Sequence, residues 1–335
     1  MVKSCIVLQM RRIVCTELGS LESLEVQERD DLLPRPGQIV VDVEAAGVTA
    51  VDALIALGQY PLKVPTPFVP GHEFAGTVRA LGEGVAGVAV GDRVLSLSGM
   101  GCFASQIAMQ PFMAMKVPES LTIGQAGSLL QAYSTAQIAL VHRLAIQPGE
   151  RVLVLGAGGG VGLAVVDVAR ALGAVAIAAA STDEKRALAA AKGAEATIDH
   201  EHDDLTSTAR AAAKELGGGV DVVVDLVGGR HGPAALAALT SGGRYGVLGM
   251  AAGVDASFAS SQILRKNRSI VGIDCGDFSI NDSMAYYQVM LDTLAWAAEG
   301  RITPTEPAVR KLDDAAVVLR ELLDRQVAGK VVLAP

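Results

Sequence analysis

One stretch limits the fold of this chain more than any other, the run from Arg151 to Gly162. Arg151-Val152-Leu153-Val154-Leu155 is apolar and β-branched, the pattern of a parallel strand buried on both faces. Gly156-Ala157-Gly158-Gly159-Gly160-Val161-Gly162 follows at once. From Leu163 to Leu172 apolar residues recur at helical spacing, with Asp167 and Arg170 on the polar face. Strand, glycine turn and helix in this order are what a dinucleotide pyrophosphate requires. Side chains are removed so that the anion can approach the backbone. The free N–H groups at the helix start then face it, and the helix dipole adds to the attraction. The spacing departs from G-x-G-x-x-G: Gly156 and Gly158 fit its first two positions, but the third falls on Val161. G-x-x-G-x-x-G on Gly156, Gly159 and Gly162 fits better.

The segments after this turn alternate regularly. Strands are expected at 174–180, 196–198, 220–227, 243–248 and 269–273, with helices at 183–192, 203–216 and 233–239 between them. Such alternation means a doubly wound parallel sheet, with ligands at the carboxyl ends of its strands. Before the turn the pattern is different. Strands are expected over 12–26 and 38–46, joined by the turn Pro34-Arg35-Pro36-Gly37. A short helix at 51–57 and a proline-rich loop follow, then short strands with glycine turns, which indicate a compact β-rich domain or barrel. Residues 121–145 read as helix. Helices at 283–299 and 313–324 and a last strand at 330–333 complete the chain, the strand rejoining the first domain.

A chain of 335 residues with 50% hydrophobic residues can bury two cores. Its formal net charge of −8 gives no electrostatic reason to bind nucleic acid or an anionic membrane. Cys5, Cys15, Cys102 and Cys275 form no C-x-x-C, which argues against a disulfide framework and a thiolate zinc cluster and fits reduced thiols in a cytoplasmic protein. Neither a signal peptide nor a bilayer-length apolar stretch is expected, and Met10 is an alternative start to Met1.

Several motifs together resemble the medium-chain dehydrogenase/reductase superfamily, in its zinc-independent quinone oxidoreductase branch. They are Gly58-Gln59-Tyr60-Pro61, Pro70-Gly71-His72-Glu73-Phe74-Ala75-Gly76, Gly91-Asp92-Arg93-Val94, the glycine turn, Gly193-Ala194 and Gly329-Lys330-Val331-Val332-Leu333. The resemblance implies an α/β protein: a GroES-like β-barrel catalytic domain over 1–130, a Rossmann domain over 131–275, and a return to the catalytic domain over 276–335. It also implies a homodimer. By family position the cofactor contacts are Thr135, Gly156, Gly158, Gly159, Gly160, Val161, Gly162, Ser181, Lys185, His200, Val227, Leu248, Met250 and Lys330.

The end of the second strand of the sheet decides between nicotinamide cofactors. A carboxylate there accepts from the ribose hydroxyls of NADH, whereas donors suit the 2′-phosphate of NADPH. Ser181 stands where the acid would be, and Lys185 follows one turn later. The resemblance places His200 where the branch often has a tyrosine against this phosphate. NADPH is therefore expected; Ser181 as a helix cap and the nearby Asp183 are the opposing considerations.

His72 matches a zinc ligand of the alcohol dehydrogenase branch, but the two cysteine positions of that branch fall on Thr49 and near Gln131. Neither offers a thiolate, so no zinc is expected. By resemblance the chemistry is hydride transfer to a quinone or an α,β-unsaturated carbonyl, with Thr49, Tyr60, His72 and Tyr133 as candidate donors near the nicotinamide. The branch usually has Asn at Thr49, and often Tyr and Arg where this chain has Leu54 and Ala56, so a more apolar acceptor pocket is expected. The alternatives are a zinc-dependent alcohol dehydrogenase and an NADPH-binding protein with little turnover.

Overall fold

A computed structural model describes residues 9–335. Cys5 and the Met1 start lie outside the described residues. The chain forms two compact units, the first made of residues 1–131 and 305–335 and the second of residues 132–304. The return to the first unit thus falls at Thr305 and not at 276, because the helix Ser283–Ala298 packs within the second unit through Val289, Thr293 and Ala297.

In the first unit, β1 (Gln9–Cys15) and β2 (Leu24–Asp30) form an antiparallel pair of their own. The single run expected over 12–26 is thus broken, since Ser20 accepts from the Glu22 N–H and starts a helical turn at Leu21–Ser23. The central strand is β3 (Ile39–Gly47). It pairs along one edge with β4 (Glu73–Leu81), which pairs with β5 (Arg93–Leu97). Its other edge takes β6 (Gln106–Met109) at residues 39–42. Two register shifts in the β3–β4 pairing bend the sheet. The short β7 (Met115–Lys116) closes the far side on β5. Ile39, Val41, Phe74, Val94 and Phe103 lie in the core this encloses.

The second unit carries a six-stranded, wholly parallel sheet. Its strands are β8 (Arg151–Leu155), β9 (Val175–Ala180), β10 (Ala196–Asp199), β11 (Val220–Asp225), β12 (Leu239–Val247) and β13 (Ser269–Gly272). Their order is β10-β9-β8-β11-β12-β13, so the winding reverses between β8 and β11. That reversal opens a crevice at the carboxyl ends of these two strands, the place where doubly wound sheets bind ligands. Helices of the βα alternation pack on the sheet through Ala209, Ala213, Ala235 and Leu236. The helix expected over 121–145 is three pieces: Ile123–Ala126, Leu130–Gln137 and a wider π turn at Ile138–Arg143.

The chain then returns to the first unit. β14 (Ala308–Lys311) pairs in parallel with β15 (Val331–Ala334), and β15 pairs with the end of β3 at Ala46 and Gly47. The first unit is therefore completed by the chain's last residues.

Candidate active site

The turn after β8 uses its glycines for three different reasons. Gly156 has φ +77°, a conformation that L side chains rarely adopt, and its N–H donates to the Ala179 carbonyl at 3.0 Å. Gly162 lies against the turn itself: a Cβ there would fall 2.2 Å from the Gly156 carbonyl oxygen. Gly159 precedes the helix Gly160–Ala171, and a Cβ on it would meet nothing nearer than 3.8 Å. Bend, close helix packing and an open approach are the three demands of a pyrophosphate turn, and they fall on Gly156, Gly162 and Gly159. Val161 can occupy the usual third position because the packing contact has moved one residue on. Gly158 has its own role: a Cβ there would lie 2.3 Å from the Lys185 Cβ, so this glycine lets the next helix come close.

That helix, Asp183–Ala191, begins at the end of β9. Its cap is Thr182, whose hydroxyl accepts from the Lys185 N–H at 3.3 Å. Ser181 is thus relieved of the capping role weighed for it. Asp183 points fully into solvent and pairs with Arg186 at 2.6 Å. Sequence reasoning missed Arg186. Its guanidinium is mostly buried and also donates to the Ala180 carbonyl at 3.0 Å and pairs with Asp199 at 3.0 Å, across the ends of β9 and β10. The signal was available: a basic residue one position beyond Lys185.

Across the crevice, Asp225 ends β11 and is 1% exposed. Its Oδ1 accepts from the N–H groups of Val227 at 2.7 Å and Gly228 at 2.9 Å, and its Oδ2 from the Tyr245 hydroxyl. Its carbonyl accepts from Leu248 and Gly249. One buried carboxylate and its backbone thus fix the two turns that carry Val227, Leu248 and the exposed Met250. Burial beside Asp225 pushes the Tyr245 phenol far above its ordinary value, so it stays a donor. The Val227 side chain would lie 3.1 Å from a Cβ on Gly156, which ties this edge to the glycine turn. Thr135, 9% exposed on the helix Leu130–Gln137, bonds the Cys275 thiol. Burial raises that thiol to about 11, against the lowering effect of Thr135.

In the first unit, His72 and Thr49 meet at a residue the sequence reading left out. Asp52 is buried in the helix Ala50–Ala56, and four donors surround its carboxylate. Oδ2 accepts from the Thr49 N–H and hydroxyl, both at 2.8 Å. Oδ1 accepts from the Gly71 N–H at 3.2 Å and lies 2.5 Å from His72 Nδ1. Burial pushes the His72 imidazole down, but the charge and hydrogen bond of Asp52, with Glu73 behind, outweigh it and hold the pKa above the ordinary histidine value. A shallow depression beside it, with about 110 Å³ of atom-free space open to solvent, is lined by Asp52, Ile55, Phe68, Pro70, His72 and Met100. Tyr60 is half-buried in the loop that follows this helix, its N–H donating to the Leu54 carbonyl. Leu54 is half-buried, whereas Ala56 is wholly buried and lines no surface.

Other expected site residues are engaged elsewhere. Tyr133, a candidate donor near the nicotinamide, is 5% exposed and donates to Asp167 at 2.9 Å. Burial and that carboxylate raise its phenol far above the ordinary value, so it serves the interior. Asp167, read as part of a polar helix face, is itself fully buried. Lys330 pairs with the buried Glu73 at 3.0 Å. His200 is 7% exposed and sits edge-on to His231 with ring centroids 4.9 Å apart, its Nε2 3.5 Å from Glu201. In this cluster the Thr49 hydroxyl is neutral and the Asp52 carboxylate is taken up by four donors, which leaves the His72 imidazole, whereas a catalytic zinc takes three protein ligands. Among the described residues, the one group of three His, Cys, Asp or Glu side chains with converging ligand atoms is His200, Glu201 and His231.

Two family models match the chain: an alcohol dehydrogenase GroES-like domain over residues 35–154 and a zinc-binding dehydrogenase domain over residues 160–296. With them the chain belongs to the medium-chain dehydrogenase/reductase superfamily of oxidoreductases, in its quinone oxidoreductase-like branch. A mouse quinone oxidoreductase-like protein 2 is 37% identical over 327 residues, covering 97% of this chain and 92% of the relative. A mycobacterial protein solved in complex with NADPH superposes with a TM-score of 0.84 at 30% identity, covering 97% of this chain and 100% of the other. The quinone oxidoreductase of Thermus thermophilus, also solved with NADPH, gives a TM-score of 0.82 at 30% identity over 97% and 100% of the two chains. The fold is the expected pairing of a doubly wound parallel sheet with a GroES-like domain. No helix among the described residues is long and apolar enough to cross a membrane.

Proposed function

We propose that the chain is an NADPH-dependent reductase of quinones or α,β-unsaturated carbonyls that works without zinc, as a homodimer. The observation that carries this reading is the edge formed by the glycine turn and the end of β9. Gly159 leaves the approach to the helix N-terminus open, and Ser181 stands where an NADH site has its carboxylate. NADPH bound to two relatives of this fold supports the same cofactor.

In this reading the N–H groups at the start of the helix Gly160–Ala171 hold the pyrophosphate. Ser181 and Lys185 hold the 2′-phosphate, while Arg186, paired with Asp183 and Asp199, braces the ends of β9 and β10 beside it. Asp225 keeps the Val227 and Leu248 turns rigid so that the nicotinamide end is positioned and water is excluded. When bound, the cofactor supplies the hydride. In the first unit, His72 donates a hydrogen bond to the acceptor oxygen through Nε2, since its Nδ1 faces Asp52. The raised pKa keeps this imidazole protonated further into the neutral range. Thr49 donates a hydrogen bond to Asp52 and so positions that carboxylate, while Tyr60 borders the acceptor.

The test is NADPH oxidation against a panel of quinones, enones and enals, with NADH in parallel. The expected result is turnover with at least one apolar enone or quinone and a clear preference for NADPH. Lys185→Ala should raise the KM for NADPH about tenfold, in line with losing one charge-assisted contact worth roughly 1.5–3 kcal/mol, and leave that for NADH unchanged. A preference for NADH would remove the cofactor assignment. Saturable NADPH binding with no acceptor consumed would leave a binding protein in place of an enzyme.

A further inference from the structure

His200 follows β10, and His231 opens the helix His231–Ala238 after β11. The two connections meet at Glu201, whose Oε1 lies 3.5 Å from His200 Nε2 and 3.6 Å from His231 Nε2. We propose that His200, Glu201 and His231 form a binding site for a divalent transition-metal ion of the zinc or cobalt type, separate from the His72 cluster and outside the hydride chemistry.

The distances carry the argument. Zinc bonds to imidazole nitrogen and carboxylate oxygen are about 2.0–2.2 Å, so ligand atoms of a tetrahedral site stand roughly 3.3–3.6 Å apart. The two separations to Glu201 fall on such edges, and all three ligand atoms lie within 4.8 Å of one another, so the imidazoles need only close on each other. The donor set is two imidazoles and one carboxylate, which leaves a fourth position for water. The ligands need little movement, because both histidines are about nine-tenths buried.

His200 is 7% exposed and directs its Nε2, the proposed ligand atom, at Glu201. With its Nε2 directed at a carboxylate, the His200 ring serves the metal here and not the cofactor phosphate.

Arg230 is the competing group. Its Nη2 donates to Glu201 Oε2, and its Nε lies 3.5 Å from His231 Nε2. The guanidinium supplies positive charge where the metal would. Its side chain is 71% exposed, so it can swing into solvent as the ion enters.

The experiment titrates the chelator-stripped full chain with Co²⁺ near neutral pH and reads visible absorption, in which tetrahedral cobalt gives intense bands. One equivalent per chain is expected, displaced by Zn²⁺. His231→Ala and His200→Ala should weaken binding about 100-fold or more, with folding checked by circular dichroism. Arg230→Ala should tighten it several-fold by removing the competing cation. His72→Gln should leave both spectrum and stoichiometry as they are. Absence of a tetrahedral spectrum in the unmodified chain would overturn the proposal, as would its persistence in folded His231→Ala. Weaker binding in Arg230→Ala would also overturn it. Loss in His72→Gln alone would instead place a metal in the first unit and defeat the zinc-free reading of the reaction.

Discussion

Asp52 shows how much of a site can rest on one side chain. Four donors converge on it, and three of them come from the expected catalytic residues, two from Thr49 and one from His72. Asp52→Ala leaves these donors buried without an acceptor and should cost about 3 kcal/mol in urea unfolding. Asp52→Asn keeps the shape but turns N–H toward N–H, and should cost about 1–3 kcal/mol while lowering the His72 pKa, as read by NMR titration. The sign of the pH effect follows from His72. Its folded pKa is raised, so the stabilisation from the pair is fully present below the unfolded value of about 6.5 and fades as pH rises through the folded value. The stability gap between the unmodified chain and His72→Gln should therefore be widest in mild acid and narrow above neutrality; a gap that widened with pH would contradict the assignment. His72 was legible because Pro70-Gly71-His72-Glu73 is a motif. Asp52 was not, although Thr49-x-x-Asp52 is itself a helix-start signal. The local sequence gives no sign that Gly71 and His72, 19 and 20 residues later, will be brought onto that carboxylate.

At the scale of elements, the strand–turn–helix of β8 was legible nearly to the residue, because burial on both faces and the glycine spacing are local properties. The function of each glycine was not, since it depends on what lies opposite. Two substitutions separate the roles. A Cβ on Gly162 would fall on the Gly156 carbonyl at 2.2 Å, so Gly162→Ala must shift the helix against the turn. It should lower the thermal midpoint and abolish NADPH binding together. A Cβ on Gly159 meets nothing within ordinary contact distance except an atom at 3.8 Å, so Gly159→Ala should keep the midpoint within a degree or two. It should still raise the NADPH Kd at least about tenfold in a fluorescence titration, because the added methyl stands where the phosphate must approach. Equal binding losses with equal stability losses in the two variants would mean that Gly159 serves packing alone. Tyr245→Phe tests the opposite edge. It removes one of three donors to the Asp225 carboxylate and should cost about 1–2 kcal/mol, raising the KM for NADPH more than it lowers kcat.

The whole molecule has a problem that neither residues nor elements show: the second unit interrupts the first, so the first must be held across a break and the second must bring its two ends together. Each does so with one buried carboxylate. In the first unit, Glu73 accepts from the Gln131 N–H at 2.9 Å, where the chain leaves, and pairs with Lys330 at 3.0 Å on the returning segment. In the second, Asp167 Oδ2 accepts from the Tyr133 hydroxyl at 2.9 Å near the entry and from the Thr303 N–H at 2.7 Å near the exit, while Oδ1 accepts from Arg170 at 2.8 Å. Sequence reading placed Asp167 on the polar face of its helix and could not show that this face is buried, because its partners lie 34 and 136 residues away, beyond any local pattern. Its periodicity was correctly read; what covers that face was not. Asp167→Ala should therefore free both ends of the second unit and cost about 3 kcal/mol or more, since it strands buried donors and an arginine. Tyr133→Phe removes one hydrogen bond and leaves the ring packed, so about 1 kcal/mol is expected, seen as a lower urea midpoint with an unchanged slope. The same variant decides between the two roles given to this tyrosine. A closing residue predicts lost stability with kcat nearly intact under saturating NADPH, whereas a proton donor predicts the reverse. A large fall in kcat with unaltered unfolding would return Tyr133 to the chemistry and leave the second unit's ends held by Thr303 and Arg170 alone.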